Sequence, residues 1–106
     1  MPTTYKFHRL AAAEAQDAID YHGEVGFSGR FLLALSHTIG LVTTHPEVGR
    51  SVLKTRDGRV VRQFRMQRYR YVLVWTYSSV QNHVTIWAVA HTARRPRYWV
   101  GRLRSP

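Results

Sequence analysis

The chain has 106 residues and no cysteine. That allows one domain with a modest core and excludes a disulfide framework and a cysteine-built zinc site. Its formal net charge is +10, unevenly spread: residues 1–49 hold three basic side chains against five acidic ones, and residues 50–106 hold thirteen against Asp57 alone. A field of one sign over half a domain favours polyanionic partners, either nucleic acid or an acidic protein. Fourteen of the 16 cations are arginine, whose planar fork suits phosphate and carboxylate and stacks on bases. No apolar run approaches the ~20 residues of a membrane span. The opening MPTTYKFHRL lacks the apolar core of a secretory signal, so a cytoplasmic protein without membrane association is expected.

Residues 4–8 alternate Tyr5 and Phe7 with polar side chains and predict a short strand. Residues 11–22 predict a helix, because alanine is the best helix former and Ala11, Ala15, Ala18, Ile19 and His22 share a stripe. Gly23 and Gly26 are expected to end it. A second helix is predicted over 29–44, with Ser28 as its cap and Phe31, Leu32, Leu35, Ile39 and Val42 as its apolar stripe. His45-Pro46 stops it, since the residue before proline avoids the helical region.

From Gly58 the period changes to two. Residues 59–68 alternate, with Val60, Arg62, Phe64 and Met66 on one face and Val61, Gln63, Arg65 and Gln67 on the other. Residues 69–77 place Tyr69, Tyr71, Leu73, Trp75 and Tyr77 on one face, read as core. Residues 83–91 are nearly all apolar and read as a central strand. Pro96 breaks the pattern, and 97–104 is read as a short last helix. The expected fold is a single α+β domain over 1–106. Its order is strand-helix-helix-strand-strand-strand, with an antiparallel sheet and the N-terminal helical hairpin packed on one face.

No Walker loop, GxSxG or HExxH signature is present. The acidic residues are few, and none falls in the three predicted C-terminal strands, so neither paired-carboxylate chemistry nor a two-metal centre is supported. No metal or cofactor is expected. The C-terminal half offers arginine, histidine and tyrosine instead. Arg62, Arg65, Arg68 and Arg70 crowd one strand and its turn, and His91, Arg94, Arg95, Arg97 and Tyr98 crowd the exit of the last strand. Such a set binds a phosphate chain, stabilises a phosphorane and moves protons without metal. The plainer readings are that His91 is a hydrogen-bonded strand end and that the arginines form a binding surface. His8, His37 and His83 read as surface groups, His22 as a helix–sheet boundary residue, and His45 as a helix end. Trp99, in a basic tail, reads as an exposed anchor for a partner.

The segment IWAVAHTARRPRYWVGR (residues 86–102) resembles the C-terminal signature of the RelE/ParE toxin superfamily. There a small-residue–histidine step is followed by arginines and a proline–aromatic pair. YRYVLVWTY resembles the family's aromatic-flanked third strand, and THPEVGR its helix exit. The resemblance implies the toxin of a type II toxin–antitoxin system, a growth inhibitor of the plasmid-stabilisation kind silenced by a cognate acidic antitoxin.

RelE-like members cut mRNA on the ribosome without metal, whereas ParE-like members inhibit DNA gyrase. The favoured expectation is a ribosome-dependent endonuclease with His91, Arg65, Arg95 and Tyr98 as the catalytic set. Lys54, Arg56, Arg62, Arg94, Arg97 and Trp99 would then bind RNA or the target. The alternative is a gyrase inhibitor with no catalytic activity of its own, and a third reading is a basic nucleic-acid-binding fold without toxicity. HTARR looks more like ParE-type tails. Lys54 stands with Arg56 where a RelE nuclease has a lysine pair. The family's third-strand arginine falls on Val72 or on Arg70, depending on register.

Overall fold

The computed structural model describes residues 2–24 and 28–104. Strand β1 (Thr4–Phe7) leads into helix α1 (Arg9–Glu24), followed by α2 (Ser28–Thr44), β2 (Arg50–Lys54), β3 (Val60–Arg65), β4 (Tyr71–Ser78) and β5 (His83–His91). A 3-10 helix (Val100–Arg104) closes the chain. The fold is α+β, and the strands form one sheet in the order β1-β5-β4-β3-β2.

Strands β2 to β5 pair antiparallel, as the change of period near Gly58 implies. Two features go beyond the sequence reading. The sheet is mixed, because β1 joins β5 in parallel, with Thr4 opposite His83 and Phe7 opposite Ile86. It also gains an edge strand, β2, where no strand was predicted. Its approach to β3 rests on Gly49, whose φ is +83° and where a Cβ would lie 2.4 Å from the Gln63 carbonyl oxygen. Only glycine accommodates both demands.

Helix α1 starts two residues before its alanine stripe, at Arg9. His8 is buried rather than on the surface. Its Nδ1 accepts from the Leu10 N–H at 3.2 Å and its carbonyl from the Ala12 N–H at 2.9 Å. Histidine thus does the work of an N-cap. The helix runs through Gly23 to Glu24. The expected stop at Gly26 and the side-chain cap of Ser28 fall outside the described residues.

The sheet is buried on both faces. On one, Ala11, Ala15, Ala18, Phe31, Leu35 and Val42 of the helices pack against Leu73, Trp75, Val84, Ile86 and Val89. Trp75 is fully buried and donates its indole N–H to the Pro46 carbonyl at 2.9 Å. The His22 ring stacks on Phe31 and meets Tyr69 and Tyr71 of the β4 side edge-on, so it does sit at the helix–sheet boundary.

The other face carries a second cluster of Val61, Val74, Trp87, Ala88, Ala90, Trp99 and Leu103. A register shift in the β4–β5 ladder, with Val74 opposite Ala88 but Trp75 opposite Ile86, leaves Trp87 as the extra residue of a bulge. The bulge lets Trp87 and Ala88 both join this second cluster. What covers them is the C-terminal tail.

Candidate functional site: the C-terminal tail and its clasp

The tail leaves β5 at His91, crosses the second face of the sheet and returns as the 3-10 helix. Its position follows from what it must cover, since an apolar sheet face left in water is unfavourable. Trp99 is only 3% exposed and sits in the second cluster with Leu103. The expectation of an exposed Trp99 anchor is therefore corrected: the tryptophan plugs the domain's own core.

One carboxylate holds the tail in place. Glu14, on the inward stripe of α1, takes both prongs of the Arg102 guanidinium at 2.8 and 2.9 Å. It also accepts from the Tyr98 hydroxyl at 2.5 Å, the Arg94 guanidinium at 3.2 Å and the Val89 backbone N–H at 3.1 Å. Arg102 in turn donates to the Trp87 carbonyl at 2.9 Å. Strand β1 stops pairing at Phe7, so past Ile86 the outer edge of β5 has no strand beside it. Glu14 and Arg102 satisfy the edge groups at Val89 and Trp87 that a longer β1 would have met. The ion pair is thus also the end of a β-ladder.

The electrostatics follow from this geometry. Burial works against a charged Glu14. The hydrogen bonds from Arg102 and Tyr98, the Arg102 charge and the Val89 N–H outweigh it, and the carboxyl is held below its usual range. Burial and the hydrogen bond to Glu14 push Tyr98 up to about 12. Its ring is also capped by the Arg94 guanidinium 3.7 Å from the centroid.

The residues predicted as a site do not fall together. His91, Arg94, Arg95 and Tyr98 come together at the exit of β5, and Arg65 lies at the same end of the sheet, opposite Val72 at the end of β3. The His91 ring meets Tyr71 edge-on, and its Nδ1 accepts from the Ala93 N–H at 3.0 Å, which puts the proton of a neutral ring on Nε2. Arg97, at φ +62°, spans to the other edge of the sheet and donates to the Val52 carbonyl at 2.7 Å. Lys54 and Arg56 lie at the far end, beside Val60 at the start of β3, about 17 Å from Arg65 along the strand. Arg62 is half-buried opposite Trp75. Strand β4 begins at Tyr71, so Arg70 belongs to the turn before it. Val72 lies within the strand, against the second cluster.

Glu14 was missed in the sequence. The available signal was its place on α1: three residues after Ala11 and four before Ala18, a carboxylate stands on an otherwise apolar stripe.

The family model described as "ParE toxin of type II toxin-antitoxin system, parDE" matches residues 5–96. The chain belongs to the ParE toxin family. No curated protein matches it closely enough to count as a relative. Membership makes this ParE-family chain the toxin of a type II toxin–antitoxin system and implies an antitoxin partner. The match takes in Glu14, His91, Arg94 and Arg95, and ends before Tyr98, Trp99 and Arg102. Among the described residues, no helix is long and apolar enough to cross a membrane.

Proposed function

We propose that this ParE-family toxin arrests growth by binding a protein target, DNA gyrase, rather than by cutting RNA. One observation carries the choice: the Tyr98 hydroxyl is taken up by Glu14 and its ring is capped by Arg94, and burial together with the Glu14 bond pushes its pKa up to about 12. A general acid or base works best with a pKa near the working pH, and Tyr98 is far from that. Its role in the clasp is to hold the tail.

What the clasp presents is a loop, residues 92–97, in which every side chain is exposed. Arg95 and Arg97 stand on it around Pro96. Trp87, Trp99 and Leu103 fix it from below, so the loop meets a partner with little ordering left to do. Arg95 and Arg97 are the contact residues of this reading, and Trp99 acts as their support.

Primer extension on ribosome-bound mRNA tests it. The wild-type chain should leave no cleavage products, and His91→Ala and Tyr98→Phe should give the same blank pattern. A-site cleavage by the wild type that falls ~100-fold in either variant would restore the endonuclease.

A further inference from the structure

The β3–β4 turn and the start of the tail are tied into one surface. The Met66 N–H donates to the Tyr71 carbonyl at 2.9 Å, closing the turn, and the Thr92 N–H donates to the Arg70 carbonyl at 2.8 Å, joining the turn to the exit of β5. Arg65, Gln67, Arg68 and Arg70 are exposed on one segment and Thr92, Ala93, Arg94 and Arg95 on the other. Five of those eight side chains are arginine. Of the five, only Arg94 has a carboxylate partner among the described residues.

We infer that this end of the sheet is a binding site for the phosphodiester backbone of nucleic acid, read without regard to sequence. Neighbouring strands lie ~4.8 Å apart, so the ends of β3, β4 and β5 spread the guanidinia over about 10 Å. That is the length over which one nucleic-acid strand presents about three phosphates, at ~3.4 Å of axial rise each. Arginine forks match phosphate oxygens in pairs. Arg68, at φ +69°, is exposed midway along the turn between β3 and β4.

The turn half of this surface, residues 65–71, is poorly suited to a protein by itself, while residues 92–95 are shared with the loop proposed to meet gyrase. An interface core sets aromatic or aliphatic side chains beside its arginines. Here Met66 is buried, Tyr69 and Tyr71 pack against the core, and the exposed residues are polar apart from Ala93. Within the two segments no aromatic side chain is exposed to stack on bases, and the exposed ring nearby, Tyr21 of α1, stands beside Tyr71 rather than among the arginines, which leaves the backbone as the ligand of the segments. The site shares Arg95 with the proposed gyrase contact, goes beyond that action and does not depend on it.

Fluorescence anisotropy across a salt series tests the site, using labelled duplex DNA in one arm and single-stranded RNA in the other. The wild type is compared with Arg65→Gln/Arg68→Asn/Arg70→Gln, where asparagine suits the left-handed backbone at 68. A second triple, Lys6→Gln/Arg9→Gln/Arg104→Gln, removes the same charge from exposed positions elsewhere. The turn triple should flatten the slope of log affinity against log salt by about 2–3 on duplex or about 2 on single strands, and weaken binding at moderate salt at least ~10-fold. The second triple should change the slope by less than about one. Loss in the duplex arm, the RNA arm or both supports the site and says which polymer it takes. Equal losses in the two triples, an unchanged slope in the turn triple, or wild-type binding that ignores salt overturns it. Neither gyrase nor the ribosome is present, so this failure is distinct from failure of the proposed function.

Discussion

Glu14 and Arg102, 88 positions apart in sequence, meet in a two-pronged ion pair at 2.8 and 2.9 Å whose members are 14% and 11% exposed. The pair joins the first helix to the last element and completes the edge of β5 through Val89 and Trp87. Removing one member of such a pair strands the other in a poorly solvated place. Glu14→Ala should therefore cost about 3 kcal/mol of stability. In a domain near this size each kcal/mol lowers the melting temperature by roughly 4–8 °C. Glu14→Gln, which keeps an acceptor but loses the charge, should cost about 1–2 kcal/mol. Calorimetric melting of the three proteins checks the order, and equal melting temperatures would refute the clasp.

The clasp makes stability fall at both ends of the pH scale. The Glu14 carboxyl titrates lower in the folded chain than its ordinary 4.5. Its contribution is therefore present above about pH 4.5 and is lost as pH falls through the lowered value. Tyr98 is raised from 10 to about 12. Its contribution is complete below pH 10 and is lost as pH climbs through about 12. Urea unfolding of wild type and Tyr98→Phe should show an alkaline decline in the wild type that is blunted in the variant. Parallel curves above pH 10 would count against the Tyr98–Glu14 bond.

Much of the architecture could be read from the chain because local periodicity reports it. The alanine stripe of α1, the stripe of α2 apart from Leu32, which is 48% exposed, and the alternation of residues 69–77 each fix an element and its buried face. Strand β2 escaped because RSVLK is short, mostly exposed and broken by a bulge between Ser51 and Leu53. The parallel union of β1 with β5 joins residues 79 apart, as Thr4 and His83 are, and periodicity carries no such information. The burial of Trp99 was nearer to hand. Strand β5 is apolar on both sides, and a second apolar face needs a second cover. With both helices assigned to the first face, only the tail remained to supply it. The basic residues of the candidate site were plain in sequence, but their division between two ends of the sheet required the strand register.

Trp99→Ala should behave as a core truncation and cost about 3–5 kcal/mol. The second cluster would open beneath the loop of Arg95 and Arg97, so loss of toxicity should track loss of folded protein. Trp99→Phe should recover most of both. Denaturant midpoints set beside growth-inhibition titres check this. A Trp99→Ala chain that is stable yet inactive would make the indole a direct contact.

Gly49→Ala combines a left-handed backbone with a Cβ 2.4 Å from the Gln63 carbonyl oxygen. The left-handed conformation alone costs about 1–2 kcal/mol, and the contact forces β2 away from β3. A total above about 2 kcal/mol is expected. Hydrogen exchange should show protection lost first along β2, and uniform loss across the sheet would contradict a local role.

The proposed mode of action is occupation of a protein target. Its most direct measurement is a titration of purified toxin into DNA gyrase, following supercoiling of relaxed plasmid. Wild type should abolish supercoiling in a dose-dependent way as toxin approaches the enzyme's concentration. Arg95→Ala/Arg97→Ala should shift the curve to higher dose without lowering the final extent of inhibition. Undiminished supercoiling at a large excess of folded wild-type toxin would rule out gyrase as the target.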